Sequence, residues 1–112
     1  MITETKTEKD VLIISLKGAL DVSLQNKLKT KLSDFADANA GDMILDFGQV
    51  TFIDSSCLGT IVSMAKKLRE KKGDIKLINL SDDVRSIFQI TRLDRVLEIF
   101  DDSNAAVQSF YK

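Results

Sequence analysis

Short apolar stretches alternate with amphipathic ones along most of the chain. The segment VLIISLKG (11–18) carries apolar side chains at both odd and even positions, as in a strand that is covered on both faces. Shorter apolar runs follow at MILDF (43–47), IKLINL (75–80) and VLEIF (96–100). Residues 2–7 alternate weakly with charged positions and predict an antiparallel edge strand, joined to the next strand through EKD. The pattern therefore predicts five short strands.

Amphipathic helices are predicted between these strands. Ser23 is placed to cap the first helix, which reaches residue 40 and has one narrow apolar face. In the second helix, from Cys57 to Glu70, the helical wheel directs Thr60 outward, and Gly73 follows as the C-terminal cap. The predicted apolar positions are Leu24, Leu28, Leu32, Phe35 and Ala36 in the first helix and Cys57, Leu58, Ile61, Val62, Met64, Ala65 and Leu68 in the second.

The last two helices follow polar capping residues. Ser81 precedes DDVRSIFQI (82–90), whose two aspartates suit the first turn of a helix. Residues 101–112 form the final helix, with Val107 and Phe110 facing inward. The order is β-β-α-β-α-β-α-β-α, which indicates an α/β fold with a mainly parallel mixed sheet of about five strands and four helices. We expect one domain.

Composition limits the possible partners. With 16 basic and 17 acidic residues among 112, the formal net charge of −1 gives no overall attraction to nucleic acid or to an anionic membrane. The basic stretch AKKLREKKGD (65–74) is interpreted as a solvated helix face rather than a nucleic-acid site. Apolar runs are too short to span a bilayer and the first residues lack a signal-peptide pattern, so we predict a cytoplasmic protein without direct membrane binding.

The available side chains exclude most common catalytic groups. The chain has no histidine and one cysteine, Cys57, so it offers no Ser-His-Asp triad, no Cys-His pair and no cysteine-based zinc cluster. The lysines are interpreted as solvated, which leaves no base to activate a serine. Asp46 and Asp54 lie on neighbouring segments, where capping and turn formation are favoured over metal binding. We therefore predict no enzyme activity, no metal and no cofactor.

The stretch VTFIDSSCLG (50–59) leads from a strand into the second helix. If the strand ends near Ile53, then Ser55 or Ser56 is the N-cap of that helix, and this structural role is complete in itself. A serine at this place can also be the substrate of a kinase carried by another protein, because free amides and the helix dipole favour an added anion. The residues alone leave both roles open.

Three segments resemble a known family: GALD (18–21), VTFIDSSCLGTIV (50–62) and SDDVRSIFQITRLDRVLEIF (81–100). They are similar to the anti-sigma factor antagonists, the single-domain members of the sulphate transporter and anti-sigma antagonist (STAS) family. The resemblance covers nearly the whole chain and implies a single STAS domain over residues 1–112. It also implies a binding protein that sequesters an anti-sigma factor serine kinase and so frees a sigma factor or another target.

In that family, phosphorylation of the antagonist breaks the complex and a serine phosphatase restores it. Carried onto this sequence, the phosphorylated residue is Ser55, and Ser56 is a secondary or capping hydroxyl. Cys57 stands where the family motif has glycine, and this replacement either packs simply or alters the choice of partner. The expected flanking and partner-binding residues are Asp21, Asp54, Ser56, Cys57, Gly59 and Thr60. We expect the free protein to be a monomer; the alternative function is an unphosphorylated STAS subunit docked on a membrane transport ATPase.

Overall fold

A computed structural model of the chain describes residues 1–39 and 41–111. Within these residues, five strands and four α-helices follow the predicted order, and two short 3₁₀ segments are added. The strands are β1 (Ile2–Glu8), β2 (Val11–Leu20), β3 (Asp42–Ile53), β4 (Ile75–Ile78) and β5 (Glu98–Phe100). The helices are α1 (Gln25–Asn39), α2 (Ser55–Glu70), α3 (Asp82–Ile90) and α4 (Ser103–Ser109). The predicted first and last helices reached residues 40 and 112, which lie outside the described residues.

The strands form a mixed sheet in the order β1-β2-β3-β4-β5, so neighbours in sequence are also neighbours in space. β1 runs antiparallel to β2, and the later pairs are parallel, as strands joined by helical crossovers must be. Alternate residues face opposite sides of the sheet and supply two cores. The side covered by α1, α2 and α3 carries Leu12, Ile14, Leu16, Met43, Leu45, Phe47, Ile75 and Leu77. The other side carries Val11, Ile13, Ile44 and Ile78, which pack with Ala106 and Val107 of α4.

A tight hairpin joins β1 to β2. Lys9 and Asp10 both have positive φ, 48° and 70°, which is the pattern of a type I′ turn and matches the twist of the two strands. Glu8 lies opposite Val11 across this turn. The register shifts between Ile2 and Glu4, where one extra residue on β1 makes a bulge. The predicted antiparallel edge strand is confirmed.

β3 is longer than the sequence indicated. Its pairing with β2 continues beyond MILDF through register shifts and ends with Leu20 beside Ile53. Gly48 and Gln49 are exposed within β3, and these residues interrupted the apolar run from which the strand was predicted. The last strand is shorter than predicted, since β5 begins only at Glu98. β3 is therefore followed directly by Asp54, Ser55 and Ser56, which we call the DSS motif.

Ser23 does not cap the first long helix, so that prediction was wrong. The residue lies inside a 3₁₀ turn, Val22–Leu24, and the capping group is the carboxylate of Asp21. The backbone N–H of Ser23 donates to Asp21 Oδ1 at 3.0 Å, and its hydroxyl donates to the same oxygen. The predicted inner positions Leu28, Leu32 and Ala36 are nevertheless fully buried. The short turn moves the start of α1 by one residue, from the predicted Leu24 to Gln25, without changing its buried face.

The ends of α2 and α3 test two further capping predictions. Ser81 caps α3 as predicted, with its Oγ accepting from the N–H of Val84 at 3.3 Å. Gly73 is not the C-cap of α2, so that prediction was wrong: the cap is Lys71, and the left-handed residue is Lys72, with φ of 69°. The N–H of Gly73 donates to Leu68 O at 2.8 Å. A Cβ at position 73 would collide with the carbonyl oxygen of Gly41. Glycine is therefore required there by close packing of two backbones.

Lys76 is buried, contrary to the expectation that the lysines are solvated. Its side chain lies on β4 under α4 and is only 7% exposed. The ammonium donates to Ser109 Oγ at 2.6 Å and lies 3.6 Å from Glu98 Oε1. It also lies 4.1 Å from the ring centroid of Phe110 and 5.6 Å from that of Phe100. A cation between two aromatic rings therefore ties the last helix to the sheet.

Replacing Lys76 by methionine is expected to leave the free energy of unfolding within about 1 kcal/mol of the parent, because an apolar side chain of similar length avoids the desolvation of the buried charge. Lys76→Ala is expected to cost about 2 kcal/mol, since it also removes the packed stem. Urea denaturation of both variants measures the difference. Equal losses in the two variants would show that the charged contacts, rather than the packing, hold α4.

Candidate functional site

The connection between β3 and α2 consists of one residue, Asp54. Its N–H donates to the carbonyl of Leu20 at 3.0 Å, which continues the pairing with β2, and its own carbonyl accepts from Leu58 N at 3.0 Å. Its backbone is extended, with φ −101° and ψ 176°. A strand and a helix are thus joined without a loop. The DSS motif lies on rigid backbone at the end of the sheet.

Asp54 is the N-cap of α2, so the prediction that Ser55 or Ser56 caps this helix was wrong. The Oδ1 of Asp54 accepts from the N–H of Cys57 at 3.1 Å and from the hydroxyl of Ser56 at 2.5 Å. Ser55 and Ser56 are the first two residues of the helix itself. An aspartate is as good a cap as a serine, and here it is the residue that still has extended backbone. Ser55 therefore takes no part in the helix cap.

The hydrogen bonds at this cap also determine the charge of Asp54. The Ser56 hydroxyl holds the pKa of the Asp54 carboxyl below its ordinary value, although partial burial opposes this, and the backbone amides of Cys57, Val22 and Ser56 lower it further. The carboxylate is therefore ionised at neutral pH. A negative charge stands beside Ser55 before any modification.

Removing the cap by Asp54→Ala is expected to lower Tm by about 3 to 8 °C at pH 7, whereas Ser55→Ala should change it by less than about 2 °C. The pKa of Asp54 is lower in the folded than in the unfolded chain, so its stabilisation is complete above the unfolded value and is lost as the pH falls through the folded value. Calorimetry below about pH 4 should therefore show a smaller difference between parent and Asp54→Ala. A difference that persists in acid would contradict the ionised cap.

Asp21 lies against the same helical turn, as the family resemblance implied. Its carbonyl accepts a hydrogen bond from Cys57 Sγ at 3.3 Å, and its carboxylate is bound to Ser23. Cys57 is completely buried, and burial raises the pKa of its thiol. Its side chain therefore fills the space between the end of β2 and the start of α2. The packing role for Cys57, one of the two left open by the sequence, is the one that its surroundings support.

The two serines differ in exposure and in bonding. Ser56 is half-buried, and its hydroxyl is committed to Asp54. Ser55 is exposed, and among the described residues its hydroxyl has no hydrogen-bond partner. A modifying enzyme can therefore reach the hydroxyl of Ser55 without first breaking a contact.

A surface groove of about 350 Å³ lies beside Ser55, between α1 and α2. Its lining residues are Gln25, Lys29, Ser55, Ser56, Gly59, Thr60 and Ser63. Gly59 is exposed and a Cβ there would meet no atom within 4 Å, so the groove is open above it. Thr60 was predicted to face outward, but it is 7% exposed and its hydroxyl donates to Ser56 O at 3.1 Å. Because its hydroxyl is hydrogen-bonded to a carbonyl of its own helix, the Thr60 side chain can face inward. Little of its surface is left for a partner to contact.

Two exposed apolar side chains near the motif were missed by the sequence reasoning. Val22 is 68% exposed and follows Asp21, and Phe52 is 46% exposed and lies two residues before Asp54. Both occupy the ends of the segments that meet at the DSS motif. The only signal in the sequence was that each apolar residue stands next to a polar turn. The same pattern is equally compatible with a buried residue of the core.

Two further properties apply to the part of the chain that the structure describes. None of its helices has the length and apolar character needed to cross a membrane. No three cysteine or acidic side chains in residues 1–39 and 41–111 come together as metal ligands would. Asp46, considered above as a metal ligand, instead accepts hydrogen bonds from Gly48 N at 2.9 Å and Asn79 Nδ2 at 3.1 Å. Asp46 lies within β3, where the register of this strand against β2 shifts.

The chain is similar in sequence to a known domain family and to named bacterial proteins. A sequence model of the STAS domain matches residues 3–106. The anti-sigma-B factor antagonist of Bacillus subtilis is 30% identical over 105 residues, covering 94% of this chain and 95% of that protein. The counterpart from Listeria monocytogenes is 29% identical, covering 82% of this chain and 81% of its own length.

A solved structure shares the fold. The anti-sigma factor antagonist SpoIIAA in its unphosphorylated form superimposes with a TM-score of 0.82 at 23% identity, over 99% of this chain and 96% of that one. SpoIIAA of Bacillus has also been solved in a phosphorylated form, with a TM-score of 0.72 at 22% identity and complete coverage of both chains. At this level of identity the likeness extends to the α/β architecture, with its mixed five-stranded sheet.

Proposed function

The chain belongs to the STAS-domain family, and from this membership we propose that it is an anti-sigma factor antagonist controlled by phosphorylation of Ser55. Residues 1–112 act as one STAS domain in the cytoplasm. The unphosphorylated protein binds an anti-sigma factor that is also a serine kinase, and a sigma factor or another target is released. The protein acts by binding and is not itself an enzyme.

One observation carries the assignment to Ser55. Its hydroxyl is exposed and has no hydrogen-bond partner within the described chain, whereas the hydroxyl of Ser56 is held by Asp54 at 2.5 Å. The two adjacent serines thus divide their roles: one belongs to the helix cap and the other is available as a substrate. SpoIIAA, which shares the fold, has been solved in phosphorylated and unphosphorylated forms, and this supports control of the present chain by phosphorylation.

A phosphate on Ser55 would leave the fold intact and change the surface. Position 55 is in the first turn of α2, where unpaired amides and the helix dipole tolerate an anion. The added charge of about −2 would lie next to the ionised Asp54 and near Asp21. A partner that fits the neutral hydroxyl would then meet concentrated negative charge at a desolvated contact.

The contact surface for the kinase consists of the groove between α1 and α2 together with the exposed side chains of Val22 and Phe52. Gln25 and Lys29 line this groove on the side of α1. The two apolar side chains lie at the same end of the sheet and offer the hydrophobic contacts that a groove of polar residues lacks. Ser55 lines the groove itself, so that the kinase which binds this surface also reaches its substrate. A serine phosphatase reverses the modification.

The test is phosphorylation by the cognate kinase and ATP, followed by mass spectrometry of the peptides. We expect one phosphate, on Ser55, and loss of the complex with the kinase. Ser55→Ala should accept no phosphate and should stay bound in the presence of ATP, whereas Ser56→Ala should still be phosphorylated. Phosphate on Ser81 or Thr91 would refute the assignment, and a stable complex with a membrane transport ATPase would favour the alternative function.

A further inference from the structure

β1 is the outermost strand of the sheet, and no strand within residues 1–39 and 41–111 pairs with the backbone groups along its outer edge. In a two-residue hairpin the residues flanking the turn exchange hydrogen bonds, so Glu8 and Val11 form a hydrogen-bonded pair. Pairs then alternate along the strands, and Lys6 and Glu4 also point their N–H and C=O groups toward β2. The N–H and C=O groups of Thr5 consequently point away from the sheet, as do those of Thr7.

Side chains alternate in the same way. Glu4, Lys6 and Glu8 lie on the side of the sheet that α4 partly covers, because their partners in β2 include Val11 and Ile13. All three are at least partly exposed, and Lys6 Nζ makes only a weak contact of 3.8 Å with Glu8 Oε1. Charged edge residues normally discourage pairing with another chain. Their effect here depends on which residues they would meet.

Two copies of β1 can meet antiparallel in four registers that use the outward N–H and C=O groups. A register that places Glu4 opposite Glu4 of the second copy sets like charges against each other. The register that places Lys6 opposite Lys6 does the same. The other two registers set opposite charges against each other. The register centred on Thr7 places Lys6 opposite Glu8, but its next outward pair joins Thr5 to Lys9, which lies in the hairpin turn. The register centred on Thr5 stays within β1 and places each Glu4 opposite the Lys6 of the other copy, twice by symmetry. These are non-hydrogen-bonded pairs, in which facing side chains are closest.

We propose that this edge is a self-association surface, through which two copies of the chain pair their β1 strands antiparallel about Thr5. The Thr5 residues of the two copies exchange backbone hydrogen bonds, and the two Glu4 to Lys6 pairs fix the register. The bulge between Ile2 and Glu4 ends the regular edge, so the contact is short. The dimer is weak, with Kd on the order of 0.1 to 1 mM. This differs from the monomer expected from the sequence.

Nuclear magnetic resonance tests the proposal by measuring translational diffusion and amide exchange from dilute to millimolar protein. We expect slower diffusion and a protected Thr5 N–H as concentration rises. Lys6→Glu should lower the association constant at least tenfold, because two attractive pairs become repulsive. The double change Glu4→Lys with Lys6→Glu should restore association to within about threefold of the parent, since the pairs are reversed rather than removed.

Lys66→Glu on the solvent face of α2 is the matched control, because it changes the net charge equally and lies on another element. It should alter association by less than about threefold. Melting in dilute solution shows whether each variant keeps its fold. Diffusion independent of concentration, or equal effects of Lys6→Glu and Lys66→Glu, would overturn the proposal. None of these outcomes depends on phosphorylation of Ser55.

Discussion

Ser55→Asp is expected to lower the affinity for the anti-sigma kinase at least about a hundredfold while leaving Tm within a few degrees of the parent. Position 55 is the first residue of α2, where a carboxylate is favoured by the helix dipole and disturbs no hydrogen bond. The cap formed by Asp54 with Cys57 and Ser56 remains in place. The new charge instead lies beside an ionised neighbour at the centre of the proposed contact surface.

Calorimetric titration against the kinase measures this loss, and Ser55→Asn separates charge from size. The asparagine is nearly the same shape as aspartate but neutral, so it should cost less than about tenfold in affinity. Equal losses in the two variants would mean that bulk at position 55, rather than charge, prevents binding. Unchanged affinity in Ser55→Asp with an unchanged Tm would show that this position is not the switch.

Leu32→Ala is expected to lower the free energy of unfolding by about 2 to 5 kcal/mol. Leu32 is completely buried on the inner face of α1, where it belongs to the larger of the two cores. The variant loses the burial of the removed methyl groups and leaves a cavity that the close-packed neighbours fill only in part. Lys31→Ala, on the exposed side of the same helix, should change stability by less than about 0.5 kcal/mol.

Urea denaturation of parent and variants gives both values on one scale. A loss below about 1 kcal/mol in Leu32→Ala would mean that α1 packs less closely than the structure has it. Affinity for the kinase is a second measurement, because α1 lines one side of the groove. A variant that folds but binds weakly would show that the position of α1 matters for recognition.

The apolar periodicity was sufficient to predict the order of strands and helices, because burial on one face dominates where the elements lie. Leu28, Leu32 and Ala36 repeat every four residues and are buried as expected. The same pattern could not give the length of β3. The end of that strand is determined by backbone pairing with β2, and Gly48 and Gln49 carry no apolar signal for that pairing.

Capping was harder to predict, because several polar residues compete within one turn. At residues 21–23 and 54–56 the cap is the aspartate, Asp21 or Asp54, which accepts hydrogen bonds from the free backbone amides. The hydroxyls of Ser23 and Ser56 donate to the same carboxylates. A sequence shows that a cap is available but not which residue keeps extended backbone. The buried Lys76 was likewise invisible, since its aromatic neighbours Phe100 and Phe110 come from later segments of the chain.

The place of the candidate site in the fold could be predicted from the sequence, and its details could be predicted less well. The resemblance brought Asp21 and Asp54 to one helical turn, and the structure places both there through contacts with Cys57. It did not indicate that Thr60 turns inward or that Val22 and Phe52 are exposed. The burial of Thr60 and the exposure of the two apolar side chains depend on how close each lies to the next packed element. The spacing of residues along the sequence does not give that distance.

Because the thiol of Cys57 is buried, its rate of chemical labelling measures local opening of the protein. A thiol reagent needs an accessible thiolate, and in the native state burial removes access and also raises the pKa of the group. Labelling can therefore proceed only through molecules in which the first turn of α2 has momentarily opened. Since that turn also carries Ser55, the labelling rate gives the opening equilibrium of the proposed phosphorylation site, and a phosphate that tightens or loosens this turn would alter the rate.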